Sequence, residues 1–81
     1  MRNMKISLGS INDIKDLVNA ANVEKCDIDL VSGRYVIDCK SIMGIFSLDL
    51  SKPIALIYHG DDAAAERFAE RIKPYLLSMP N

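Results

Sequence analysis

The sequence predicts an α+β domain in the order β-α-β-β-α-β-α. Its four strands form a mostly antiparallel sheet with the helices packed on one face and the other face open to water. Three observations carry this. Apolar and polar residues alternate in the first strand and in a hairpin. Apolar residues recur at helical spacing directly after strands. Turn residues punctuate the segments at short intervals.

Met4, Ile6 and Leu8 alternate with Lys5 and Ser7, a strand with one buried face that ends at Gly9. "SINDIKDLVNAAN" then carries Ile11, Ile14, Leu17, Val18 and Ala21 at helical spacing, with Ser10 placed as N-cap and Asp13 favouring the positive end. "CDIDLVSGRYVIDCK" alternates Ile28 and Leu30 with Asp27 and Asp29, turns at Ser32-Gly33 and returns through Tyr35, Val36, Ile37 and Cys39. In "CKSIMGIFSLD" a single serine, Ser41, stands before an almost wholly apolar run, which predicts a short helix capped by Ser41. Ser51-Lys52-Pro53 is a loop, and "PIALIYH" is the fourth strand. "GDDAAAERFAERIKPYLLSM" closes the chain as a helix with Ala65, Phe68, Ile72 and Leu76 on one stripe. Pro74 should kink or fray it and leave Tyr75-Leu76-Leu77 as a looser tail.

Eighty-one residues make one domain, 1–81, and the balance of 49% hydrophobic to 26% charged residues is that of an ordinary globular chain. With net charge -1 and scattered Lys and Arg, the clustered basic surface that nucleic acid requires is missing. "MRNMKISLGS" has no long apolar region, and no run approaches the roughly 20 residues of a membrane span, so a cytoplasmic protein is expected. Two cysteines and one histidine suffice neither for a disulfide framework nor for a metal site. A two-residue loop at Ser32-Gly33 would set Cys26 opposite Cys39, whereas a loop of Gly33-Arg34 breaks that pairing. Two small reduced side chains in a sheet are the simpler reading.

Catalytic machinery is not legible. His59 sits at a predicted strand end beside Gly60, with no serine or cysteine tied to it by a local motif. The pairs Asp13/Asp16 and Asp61/Asp62 lie in first helical turns, where the macrodipole alone accounts for carboxylates. Gly44 lacks the context of a phosphate-binding loop. No enzyme activity and no cofactor are therefore expected. The remaining signal is the serine-led apolar stretch. A two-turn helix on a sheet buries one side: Ile45 and Leu48 share that side with Leu50 beyond them, and some of Ile42, Met43 and Phe46 are left as an exposed contact patch.

"KSIMGIFSLDL", Lys40 to Leu50, resembles the signature around the regulatory serine of HPr, the phosphocarrier of the bacterial sugar phosphotransferase system. "DIDLVSGRYVIDCKSIMG" and "GDDAAAERFAERI" fit that family's hairpin and last helix, and an ungapped match runs from about Met4 to Leu77. The resemblance implies the HPr-like open-faced β-sandwich. It also exposes a departure. Where the family has a Gly-x-His-x-Arg-Pro run whose histidine carries phosphate, this chain has "LGSIND", with Ser10 at the histidine, Asn12 at the arginine and Asp13 at the proline. A serine ester is a poor phosphoryl donor beside a phosphoimidazole, and Asp13 would repel phosphate where arginine attracts it.

What the resemblance leaves is regulatory. Ser41 matches the residue modified by HPr kinase/phosphorylase. Ile42, Met43 and Phe46 match the patch that docks that kinase, enzyme I and the catabolite-control transcription regulator. The catabolite-repression HPr homologue, which lacks the histidine and keeps the serine, is the implied precedent. The expectation is a regulatory or binding protein with protein partners. The alternatives are an interaction module in which Ser41 only caps, and a phosphotransfer component with His59 as a relocated acceptor.

Overall fold

The computed structural model describes residues 2–78. They form β1 (Arg2–Ile6), α1 (Ile11–Asn22), β2 (Ile28–Ser32), β3 (Tyr35–Asp38), α2 (Ile42–Phe46), β4 (Ile54–Tyr58), α3 (Asp62–Arg71), a 3-10 turn (Lys73–Tyr75) and β5 (Leu76–Ser78). The sheet has five strands in the order β3-β2-β4-β1-β5, and every neighbouring pair is antiparallel. The α+β class and the succession of all seven predicted elements, β1 to α3, stand as the sequence predicts.

The fifth strand corrects the expectation of a loose tail. α3 ends at Arg71, and Pro74 falls in the first turn of the 3-10 segment, where its missing N–H costs nothing. The chain is thereby turned back onto β1, with Lys5 opposite Ser78, Ile6 opposite Leu76 and an irregularity between the two pairs. Ser7 N–H donates to the Tyr75 carbonyl at 2.9 Å. β1 would otherwise be an edge with unpaired backbone groups, and this pairing satisfies part of them. Leu76 accordingly belongs to the sheet rather than to the helical stripe, which ends with buried Ile72.

The hairpin is also one residue displaced from the Ser32-Gly33 turn. Ser32 pairs with Tyr35 and Asp29 with Asp38, so the loop residues are Gly33 and Arg34. Gly33 has φ 60, the left-handed value that a type II′ turn demands at its first loop position. In this register Cys39 N–H donates to the Ile28 carbonyl, Cys39 does not face Cys26, and both cysteines are free.

One face of the sheet meets the helices. Met4, Ile6, Ile28, Leu30, Ile54, Leu56 and Tyr58 point there and are buried against Ile14, Leu17 and Ala21 of α1 and Ala65, Phe68 and Ile72 of α3. The Tyr58 and Phe68 rings lie 5.4 Å apart in a tilted pair. Tyr58 Oη donates to Glu24, which also meets Arg71 Nη1 at 3.1 Å, so one carboxylate joins the end of α1 to β4 and α3. Burial first and the Glu24 bond second push the Tyr58 phenol well above its ordinary pKa. The opposite face carries the rows Val36-Val31-Ala55-Lys5 and Asp38-Asp29-Ile57-Asn3.

Candidate functional site: the Ser41 helix and the cleft beside α1

α2 has only five residues, too few to be stable by propensity, and is fixed at both ends by hydroxyls. Ser41 is the N-cap: its backbone is extended and its Oγ accepts from Gly44 N–H at 3.2 Å. At the other end Ser47 Oγ donates to the Gly44 carbonyl at 2.6 Å. Entry is set by Asp38, whose Oδ1 accepts from Lys40 N–H at 2.9 Å and whose carbonyl accepts from Ser41 N–H at 2.9 Å. The Lys40 ammonium reaches back to the Glu24 and Cys26 carbonyls at 3.0 and 3.1 Å. α1 has no basic residue in its last turn, so Lys40 supplies a positive charge just beyond that helix end.

With the helix so anchored, Ile45 and Leu48 enter the core and Ile42 and Leu50 pack half-buried against it. Met43 is 76% and Phe46 44% exposed. Gly44 lies against β3, and a Cβ there would stand 2.5 Å from Ile37 Cγ2.

Phe46 forms one wall of an open cleft of about 630 Å³ whose other wall is the start of α1, with Ser10, Ile11 and Ile14, and whose floor includes Leu50 and Ser51. Ser10 at the start of α1 and the apolar patch of α2 therefore share one surface. Ile11 is the residue that the sequence places wrongly: helical spacing assigns it to the buried face, yet it is 57% exposed and extends the patch across the cleft. The signal was available. Side chains of a helix tilt toward its N-terminus, so an apolar residue directly after the cap overhangs the sheet. Beyond Leu50, the bonds from Ser51 Oγ and N–H hold the Asp49 carboxyl below the ordinary range.

Ser10 caps α1, accepting from Asp13 N–H at 3.2 Å. Asp13 returns the contact one residue further back, its Oδ2 accepting from Gly9 N–H at 2.7 Å. The positive end of α1 is thus occupied by the protein's own carboxylate.

His59 is remote from this surface. β1 and β4 are antiparallel, so the Ile6–Ile54 end leads to Ser10, while His59 follows Tyr58 at the opposite end, where Tyr58 pairs with Arg2. Its Nε2 lies 2.9 Å from Asp29 Oδ2. Among the described residues no group of three or more His, Cys, Asp or Glu could hold a metal ion, and no helix is long and apolar enough to cross a membrane.

The cysteines differ in reactivity. Cys39 is fully buried, and burial, reinforced by Asp38, pushes its thiol up to about 12, whereas Cys26 is only half-buried. Alkylation of the native protein near neutral pH is expected to label Cys26 alone, with Cys39 reacting only after unfolding. Peptide mapping of iodoacetamide adducts with and without urea checks this, and early labelling of Cys39 would contradict it.

No family model and no curated protein matches the chain. Its fold is shared with a crystal structure described as HPr-C-His from Thermoanaerobacter tengcongensis, at a TM-score of 0.71 and 25% identity, covering 90% of this chain and 92% of that one.

Proposed function

We propose that this chain, an HPr-like protein, is a regulatory or binding protein that acts through Ser41 and the apolar surface of Met43 and Phe46, with Ile42 behind them, rather than as a histidine phosphocarrier. The observation that carries the reading is the contrast between the two serine caps. At Ser10, the helix end where the family would hold phosphate is filled by Asp13, and an arriving phosphate would meet that negative charge. At Ser41, the first turn of α2 carries no acidic residue, and the side chains beside it are apolar and exposed.

Modification by an HPr kinase/phosphorylase would transfer the γ-phosphoryl of ATP to Ser41 Oγ, with release of the hydroxyl proton and of ADP. The added charge of about two at pH 7 sits where Gly44 N–H already points. The Lys40 ammonium is engaged by two carbonyls, which leaves that charge for a partner to meet, such as a catabolite-control transcription regulator. Incubation with HPr kinase and ATP is expected to add a single phosphate on Ser41. The Ser10→Ala chain should accept it fully and Ser41→Ala not at all. Loss of the cap alone costs roughly 1 kcal/mol, so a thermal melt of Ser41→Ala confirms that the acceptor, and not the fold, was removed. A wild-type chain that takes up no phosphate would exclude the switch.

A second reading is favoured by the hydrogen bond that Ser41 already makes: an HPr-fold interaction module in which the serine only caps. In that case a partner captured by the unphosphorylated chain is lost with Met43→Asp plus Phe46→Asp. A partner retained by that variant would exclude the patch.

A further inference from the structure

The outer edge of β3 is unpaired among the described residues, because β3 ends the strand order. Tyr35 and Val36 on this strand are 68% and 63% exposed, and Arg34 and Asp38 flanking them are exposed as well. The hydrogen-bond phase is fixed by Cys39 N–H donating toward β2, so Val36 and Asp38 present their backbone groups outward. Natural sheets blunt such an edge with lysine, proline, a bulge or a covering element. β3 has no lysine, proline or bulge; what guards it is its length of four residues and the charges of Arg34 and Asp38, one of each sign.

We propose that this edge pairs with the β3 edge of a second copy of the chain, antiparallel and centred on Val36, to join two sheets across a twofold axis. Three features select this register. Val36 opposite Val36 of the second copy exchanges two backbone hydrogen bonds and sets two exposed valines side by side on the open face. Tyr35 opposite Ile37 of the second copy is a non-hydrogen-bonded pair that brings two apolar side chains together on the helix-bearing face. Arg34 then lies opposite Asp38 of the second copy, and symmetry makes that opposite-charge pair twice. Neither residue has an ion-pair partner within the described chain, and only Oδ1 of Asp38 is taken, by Lys40 N–H. Sliding by two residues puts Val36 against Asp38 and dissolves both charge pairs. A joint this short buries little area, so the dimer exchanges with monomer and is read by its concentration dependence.

Sedimentation of the full chain from micromolar to millimolar concentration is expected to show a reversible monomer–dimer equilibrium. Val36→Pro, which removes the central outward N–H, and Arg34→Asp, which opposes like charges twice, should each weaken it by about tenfold or more. The decisive result is complementation. Arg34→Asp and Asp38→Arg each fail to self-associate, yet a mixture of the two forms a heterodimer in which all four facing charges are again opposite. This result requires both variants to be folded. A chain that is monomeric throughout the range, or a dimer untouched by Val36→Pro and Arg34→Asp, would overturn the proposal. So would a dimer abolished by Met43→Asp plus Phe46→Asp, because the contact would then be the α2 surface.

Discussion

Phe68→Ala is expected to destabilise the protein by about 3–5 kcal/mol, the cost of deleting a fully buried aromatic ring that its surroundings cannot replace. Phe68 lies on α3 against Tyr58 of β4, and Tyr58 is tied through its hydroxyl to Glu24, so the side chains lining the gap are held by a hydrogen bond and an ion pair. Limited collapse favours the upper part of the range. A domain of this size has only about 0.05–0.15 kcal/mol per residue of net stability, so the variant stands close to unfolding at ambient temperature. Urea denaturation followed by circular dichroism checks the prediction. The midpoint should fall with little change of slope, and Phe68→Leu should recover most of the loss. A midpoint within error of wild type would contradict the packing described for α3.

Gly44→Ala is expected to destabilise by about 1–2 kcal/mol although alanine is the better helix former. Helix propensity favours the change by roughly 1 kcal/mol, and overpacking opposes it by about 1–3 kcal/mol. The clash decides the sign. The new methyl would stand 2.5 Å from Ile37 Cγ2 and 3.1 Å from Ser41 Oγ, and a β-branched neighbour has little rotamer freedom with which to yield. Two measurements bear on this. Thermal melts of Gly44→Ala, Ile37→Ala and the double variant should be non-additive, because removing Cγ2 removes the collision. Under the proposed Ser41 switch, incorporation of phosphate into Gly44→Ala should be slower than into wild type, since lifting α2 off β3 displaces the cap. Additive melts would show that α2 yields at no cost.

The elements with strong periodicity were legible in the sequence: β1, α1, the β2-β3 hairpin, β4 and α3 all follow from the spacing of their apolar residues. What was not legible depends on partners far along the chain. "KPYLLS" reads as a fraying helix by itself, and becomes a 3-10 turn and a strand because β1 offers unpaired backbone beside it. The hairpin loop moved by one residue because a positive φ is needed at the first loop position, which Gly33 can supply and Ser32 cannot do cheaply. Within the candidate site, the caps at Ser10 and Ser41 and the exposure of Met43 and Phe46 could be read from local spacing. The return bond from Asp13 to Gly9, and the cleft that sets Ile11 across from Phe46, required the packing of α1 beside α2.

The place of β1 bears on how the chain acquires its structure. β1 is the earliest-made of the described strands, yet its two neighbours, β4 and β5, are made after residue 53. As the chain leaves the ribosome, the β2-β3 hairpin can form by local closure, while β1 waits with its apolar face unshielded until most of the sequence has been translated. Pairing of β1 with β4 spans about fifty residues of chain and must pay that loop-closure entropy before it gains any contact. The strand that joins β5 to the rest of the finished sheet is therefore expected to be among the last to dock.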